Sequence, residues 1–346
     1  MMTAALSPGD AVGNYILSLT RILREWGCTV HLYCDFPNDR YPLAHNHSSA
    51  YIPRGSDILW LHYSIYSDNV HWLRDSSDFT LLDYHGVCPP KYFAGYDPLM
   101  EDLCARGEAA FPTFAGHVDL AVGHTAYIRA ELRRAGYRNV RILPLVVDTD
   151  RFTGAGDPAW EPLLSRLEYL LFVGRLVPQK NLRATLDLFA ALHRRRPNLK
   201  YVLVGGRNVP AYADELAERA GELGIGDSLI FTGPISEPAT LTSFFRHARF
   251  YLCLSEWESF CVPIVEALHF GTPVLGWGVP PIPETMGPGG IVLEGDAPAM
   301  AAQIDALWDD RDAYARLQQQ GRPHAARFTD AALRDALLEL FRELAQ

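Results

Sequence analysis

Short apolar runs alternate with segments of helical periodicity along the whole chain, and this alternation narrows the available folds more than any other feature of the sequence. Runs at residues 29–33, 57–62, 79–85, 120–123 and 140–147 read as strands in the first half. Runs at 169–174, 199–205, 229–233 and 250–254 read the same way in the second. Residues 1–6 are too brief to be read as a strand. Between the runs, Tyr15, Ile16, Leu19, Ile22 and Leu23 recur on one helical face until Gly27. Thr125 is a serviceable N-cap for a helix to Ala135 that Gly136 stops. Further helices are expected at 181–193, 211–223 and 240–247. From Ala297 the pattern is helical, and its last run, 331–344, is amphipathic. Strands that alternate with helices imply parallel sheets covered on both faces. At 346 residues the chain exceeds the size at which one core usually stops growing, so two such domains are expected.

Composition removes several classes of function. With 48% hydrophobic and 21% charged residues, the chain has an ordinary globular make-up. Its net charge is −10, with 31 basic against 41 acidic residues, which argues against nucleic acid as a partner. No apolar run approaches the ~20 residues of a membrane-spanning helix, and the first residues lack a signal-peptide design. A cytoplasmic location is expected, with peripheral membrane contact left open. The six cysteines show no Cys-x-x-Cys spacing and read as reduced structural thiols.

The chemistry concentrates between Ser255 and Glu284. Residues 250–254 read as a buried strand, and Gly271 and Pro273 punctuate the run that follows, so the order is strand, loop, helix, strand. Pro263 suits the first helical turn and Gly271 the position just past its end. Glu258 therefore falls in the loop and Glu266 inside the helix. In an open parallel sheet, ligands bind beyond the carboxyl ends of the strands, where such a loop sits. Acids near a helix N-terminus are also favoured by the macrodipole alone, which leaves a purely structural role open on the residues themselves. Similarly, Arg175 and Lys180 follow the run at 169–174. They are placed either to stabilise negative charge on a ligand or simply to be solvated.

The full pattern is Ser255-x-x-Glu258, seven residues, Glu266-Ala267, then Gly271-x-Pro273-Val274 and Pro283-Glu284. It resembles the signature of the retaining glycosyltransferases of group 1, the GT4-like family. The resemblance covers most of the chain, is strongest over 172–284, and weakens in the first hundred residues. It implies the GT-B architecture: α/β, with two facing Rossmann-like domains and a deep inter-domain cleft. Residues 1–152 would form the acceptor domain, with the helix 331–346 packing back on it. Residues 153–330 would form the nucleotide-sugar donor domain. The implied activity is metal-independent transfer of a sugar from a nucleotide-diphosphate sugar to a hydroxyl of a glycan, lipid or small molecule, with no cofactor.

On this resemblance Glu258, His85, Arg175 and Lys180 are the catalytic group, Arg175 and Lys180 meeting the diphosphate. Gly13, Gly233, Ser259, Phe260, Cys261, Val262 and Glu266 join them in binding the donor, with Glu266 on the ribose and Gly13 at the diphosphate. A glycine at Gly13 is also what an ordinary tight turn would use. Histidines that end a strand are often structural; the resemblance singles out His85 as the sugar contact and gives His62 less weight. Residues 89–93 and 101–111 are candidate acceptor contacts. Asp148-Thr149-Asp150 could hold a divalent metal through its carboxylates, but it resembles the inter-domain hinge and lacks further ligands nearby, so no metal is expected. Ser259 stands where the family usually has glycine, and Pro280-Pro281 where it has two glycines. A nucleotide-sugar epimerase of the same architecture and an inactive nucleotide-sugar-binding relative are the alternatives. A dinucleotide oxidoreductase is disfavoured, because no strand is followed by a full Gly-x-Gly-x-x-Gly with an acid about 20 residues on.

Overall fold

A computed structural model describes residues 1–152 and 154–344. The chain divides into two compact units, one of Met1–Asp148 with Phe328–Gln346 and one of Thr149–Arg327.

The first unit is built on a parallel sheet of β1 (Met2–Ala5), β2 (Tyr33–Phe36), β3 (Asn46–His47), β4 (Ile58–Tyr63), β5 (Phe79–Tyr84), β6 (Leu120–Gly123) and β7 (Val140–Ile142). Their order across the sheet is β3-β2-β1-β4-β5-β6-β7. The second unit carries β8 (Tyr169–Val173), β9 (Lys200–Val204), β10 (Leu229–Gly233), β11 (Phe250–Cys253), β12 (Val274–Trp277) and β13 (Gly290–Leu293), in the order β10-β9-β8-β11-β12-β13. Each order reverses once, between β1 and β4 and between β8 and β11. Such reversals are where the loops at the carboxyl ends of strands part and leave room for a ligand.

Three expectations change. Residues 2–5 are a strand, because β1 lies inside the sheet: Met2 is paired with Tyr33 on one side and Leu61 on the other. Two flanking ladders support a strand too short to declare itself locally. The run at 29–33 enters the sheet only at Tyr33. The run at 140–147 leaves it after Ile142, although Leu143, Leu145, Val146 and Val147 are buried. Apolar character there reflects packing, and the Val147 N–H donates to the Phe328 carbonyl at 2.8 Å in place of a ladder bond. A helix at Pro98–Ala110, capped by the Asp97 carboxylate, covers much of the stretch proposed for acceptor contacts.

The helix Asp330–Leu344 belongs to the first unit. It buries Leu333, Leu337 and Leu340 on one face, each contributing about 1.5–3 kcal/mol by burial. Trp26 meets Phe341 edge-on, Arg141 pairs with Glu343 at 2.9 Å, and Arg21–Asp330 and Arg334–Glu25 add two further ion pairs. Among the described residues no helix is long and apolar enough to cross a membrane.

Candidate functional site

In the second unit the loops after β8 and β11 meet because those strands are neighbours in the sheet. The β8 loop is set by its glycines. A Cβ on Gly205 would lie 1.7 Å from the Gly174 carbonyl oxygen, so the loops after β8 and β9 touch backbone to backbone. The Leu176 N–H then donates to the Gly206 carbonyl at 3.0 Å. Residues Pro178–Lys180 make one tight turn, and Asn181, left-handed at φ 51°, leads into the helix Leu182–His193. This course delivers Lys180 to the β11 loop. Its Nζ donates to Glu258 Oε1 at 2.6 Å, and the Glu256 N–H donates to the Gln179 carbonyl at 2.9 Å.

Ser255 completes the arrangement. Its hydroxyl donates to the same Glu258 Oε1 at 2.7 Å, which explains the Ser-x-x-Glu spacing: a loop of this length folds the carboxylate back over the serine. Both donors use one oxygen, and Glu258 Oε2 has no hydrogen-bond partner among the described residues. Glu258 is buried. Burial works against the charge on Lys180, but the Glu258 carboxylate outweighs it and raises the ammonium pKa. The pair therefore holds a fixed cation against the carboxylate. Arg175, at the start of the same loop, is exposed.

Glu266 lies within the helix Val262–Phe270 and is buried; the Arg151 guanidinium pairs with its Oε1 in a short contact. Burial raises the Glu266 pKa and Arg151 offsets only part of that rise. Arg151 was not among the residues expected at the site. A carboxylate on the inward face of a helix needs a cation, and that need was the available signal. Cys261 immediately precedes this helix with φ 77°, an uncommon conformation for a residue with a side chain, and gives no side-chain cap. The helix N-terminus is thus disposed towards an anion. Cys261 Sγ lies 3.9 Å from Cys253 Sγ, and the buried Phe260 accepts the Thr285 hydroxyl on its carbonyl at 2.7 Å. Ser259 and Val262 are half-buried beside them. Gly233 ends β10 at φ 75° and accepts the Gly205 N–H at 3.0 Å. A cavity of about 610 Å³ in this unit lies at the opposite ends of the strands, near Glu168, Arg249 and Trp308, away from these loops.

In the first unit the loop after β1 leads into the helix Ala11–Glu25, whose N-cap Asp10 accepts the Gly13 N–H at 3.3 Å. A Cβ at Gly13 would meet the Ser7 carbonyl at 2.6 Å, so glycine is required there by the chain's own backbone. His85 follows β5. Strand alternation puts Asp83 and His85 on one face, and β4 and β6 on either side supply His62 and His124 to the same place. His85 Nε2 lies 3.1 Å from His62 Nδ1, and His85 Nδ1 lies 3.2 Å from His124 Nε2. Asp83 sits beneath them, accepting Trp60 Nε1–H at 3.0 Å, while the Tyr15 ring stands edge-on to all three imidazoles. Burial holds His62 and His85 well below the usual imidazole range, so both are neutral. Burial opposes ionisation of Asp83, but the facing imidazoles and the Trp60 N–H more than compensate and lower its pKa. Asp83, His124 and Tyr15 were not expected here. Their convergence depends on strand order.

Two groups among the described residues have metal-ligating atoms close together: His62, Asp83 and His85, and Cys253, Glu258 and Cys261. Asp148 and Asp150 are in neither.

Residues 161–324 match the family model of "Glycosyl transferases group 1". A D-inositol 3-phosphate glycosyltransferase of Corynebacterium glutamicum is 33% identical over 178 residues, 50% of this chain and 42% of that protein. The corresponding protein of Corynebacterium jeikeium is 32% identical over 219 residues, 59% of this chain and 52% of its own. The chain thus spans about half the length of the curated relatives it matches. In fold it is similar to a sucrose-phosphate synthase from Thermosynechococcus elongatus, with a TM-score of 0.78 at 20% identity over 99% of this chain and 98% of the other. It is also similar to HepE from Anabaena in complex with UDP and glucose, with a TM-score of 0.76 at 15% identity over 99% and 100%. The two parallel-sheet units are those of the GT-B glycosyltransferases.

Proposed function

We propose that this chain, which carries a group 1 glycosyltransferase domain over residues 161–324, is a metal-independent retaining glycosyltransferase acting on a nucleotide-diphosphate sugar. The observation that carries the proposal is the Lys180–Glu258 pair, at 2.6 Å, where the strand order of the donor unit reverses. A sugar diphosphate needs a cation at its leaving group and an acceptor of hydrogen bonds at its sugar hydroxyls. Here both are held on one rigid link.

In the proposed reaction Lys180, Arg175 and the N-terminus of the helix Val262–Phe270 receive the diphosphate, with Gly13 at its edge. Glu258 Oε2 accepts from the sugar hydroxyls, and His85 positions the ring. Glu266 takes the ribose diol, as a carboxylate with several lone pairs can. Gly233, Ser259, Phe260, Cys261 and Val262 line the donor largely through their backbone. The bond from the anomeric carbon to the diphosphate breaks, and the acceptor oxygen bonds to that carbon on the same face. The acceptor proton passes to the departing phosphate oxygen. A uridine nucleotide is the first donor to try, since HepE is complexed with UDP and glucose. The acceptor is a glycan, lipid or small-molecule hydroxyl, and the reaction is placed in the cytoplasm.

A thermal-shift screen against UDP, GDP, ADP and dTDP sugars identifies the donor, because a ligand at 100 times its Kd adds about 2.7 kcal/mol of stability. Product NMR with that donor then reads the anomeric configuration. A matching configuration supports retention, and an inverted one overturns it. An isomerised sugar nucleotide with no glycoside would instead identify an epimerase.

A further inference from the structure

The three imidazoles at the carboxyl ends of β4, β5 and β6 converge on the Asp83 carboxylate. His124 Nδ1 faces the Leu143 carbonyl at 3.0 Å, and a carbonyl only accepts, so this nitrogen carries hydrogen. His124 Nε2 lies 3.2 Å from His85 Nδ1 and 3.0 Å from Asp83 Oδ1. His85 Nε2 is directed at His62 Nδ1, 3.1 Å away, and at Asp83 Oδ1, 3.4 Å away. Asp83 Oδ1 is buried and accepts no aligned hydrogen bond among the described residues, while Oδ2 takes the Trp60 N–H. An anionic oxygen so placed is among the costliest groups to leave unmatched.

We propose that His62 Nδ1, His85 Nε2 and an Asp83 carboxylate oxygen form a binding site for a divalent metal ion of the zinc class. Zinc bonds to nitrogen and oxygen of about 2.0–2.2 Å give a tetrahedron with edges of about 3.3–3.6 Å. The two ring nitrogens are 3.1 Å apart, His85 Nε2 lies 3.4 Å from Asp83 Oδ1 and His62 Nδ1 lies 3.6 Å from Asp83 Oδ2, with one ligand atom from each residue within 4.8 Å of the others. Behind the ligands, His85 Nδ1–H donates to His124, and His124 Nδ1–H donates to the Leu143 carbonyl. Metal-binding histidines are commonly oriented by such outer hydrogen bonds. His62 Nε2 lacks a partner among the described residues whether Nδ1 binds metal or hydrogen, so it favours neither. At the other group, Cys253, Glu258 and Cys261, the Lys180 ammonium already lies 2.6 Å from the carboxylate and would repel a second cation.

The site does not depend on the glycosyl-transfer reading. The two share only His85, whose Nε2 cannot bind a metal and a sugar together, so an ion bound there would keep His85 from the donor and lower turnover.

The test uses the full chain after stripping with chelator and dialysis, with Zn²⁺ followed by calorimetry and Co²⁺ by visible absorption. Wild-type protein should bind one equivalent and give the intense cobalt band of a tetrahedral nitrogen and oxygen site. His62→Asn and His85→Asn should each lose that band, and Cys253→Ser should keep it. His124→Gln should weaken zinc binding about 10–100-fold by loosening the ring behind His85. No uptake by wild-type protein overturns the proposal without reliance on any variant. Nitrogen NMR of the histidine rings would in that case look for a shared proton in the same place. Undiminished binding in a folded His62→Asn variant would overturn it equally.

Discussion

Lys180 Nζ lies 2.6 Å from Glu258 Oε1 although the two residues are 78 positions apart in sequence. They meet because β8 and β11 run parallel as neighbours, so the loops leaving their carboxyl ends emerge side by side. The Ser255 hydroxyl shares the same carboxylate oxygen. The geometry couples a charge needed by a leaving diphosphate to a carboxylate suited to sugar hydroxyls. It also makes both residues part of the fold.

The first prediction separates those two contributions. Lys180→Ala should lower kcat about 10²–10³-fold, as loss of one electrostatic donor does. It should also destabilise the chain by about 3 kcal/mol, the lower end for breaking a buried ion pair, because Ser255 still serves Glu258. Glu258→Gln keeps the shape and should lose kcat with a smaller stability cost. Melting curves with kcat measured well below each midpoint decide this. An undiminished kcat in Glu258→Gln would remove that carboxylate from the sugar.

Arg175 gives the contrasting case. It is exposed, so Arg175→Ala should change stability by no more than about 0.5 kcal/mol. If it meets the diphosphate, kcat should still fall about 10²–10³-fold. Near-normal turnover with every donor would return Arg175 to the solvated surface.

Chelation should not lower transfer, because Lys180, Arg175 and a helix N-terminus supply the positive charge that a metal would otherwise bring. Turnover is measured before and after EDTA. Loss on chelation with recovery on adding Mg²⁺ or Mn²⁺ would bring Asp148 and Asp150 back as metal ligands.

Asp78 predicts a pH dependence of stability. Burial alone would raise its pKa, but the Tyr51 hydroxyl and the N–H groups of Arg54, Asp57 and Gly55 more than compensate, leaving it below the ordinary 3.8. A carboxyl depressed in the folded state stabilises fully above its unfolded pKa and loses that contribution as pH falls through the folded one. Asp78→Ala should therefore cost about 2–3 kcal/mol at pH 7, and the gap to wild type should narrow as the pH falls below the ordinary carboxylate range. Melts at a series of pH values from neutral down through that range test it. A gap that stays constant would assign the effect to packing.

Much of the donor loop was legible in advance. Pro263 inside the helix start, Gly271 past its end, Glu258 in the loop and Glu266 in the helix all stand where local rules put them. These are properties of neighbours in sequence, governed by backbone conformation and capping. Residues 2–5 were illegible for the opposite reason, since their strand exists through the ladders on either side. The apolar run at 143–147 was misleading because burial and strand formation leave the same hydrophobic mark.

From its sequence alone the chain had determined alternating strands and helices, two parallel-sheet units, and the types of charged residue at the strand ends, because periodicity and caps act over a few residues. Only the tertiary structure decided which of these meet. The order of strands across each sheet set Lys180 on Glu258, Arg151 on Glu266, and Asp83 beneath His62, His85 and His124. Strand order arises from long-range packing and carries no local mark, so the partners of a buried charge appear only when the sheet is assembled.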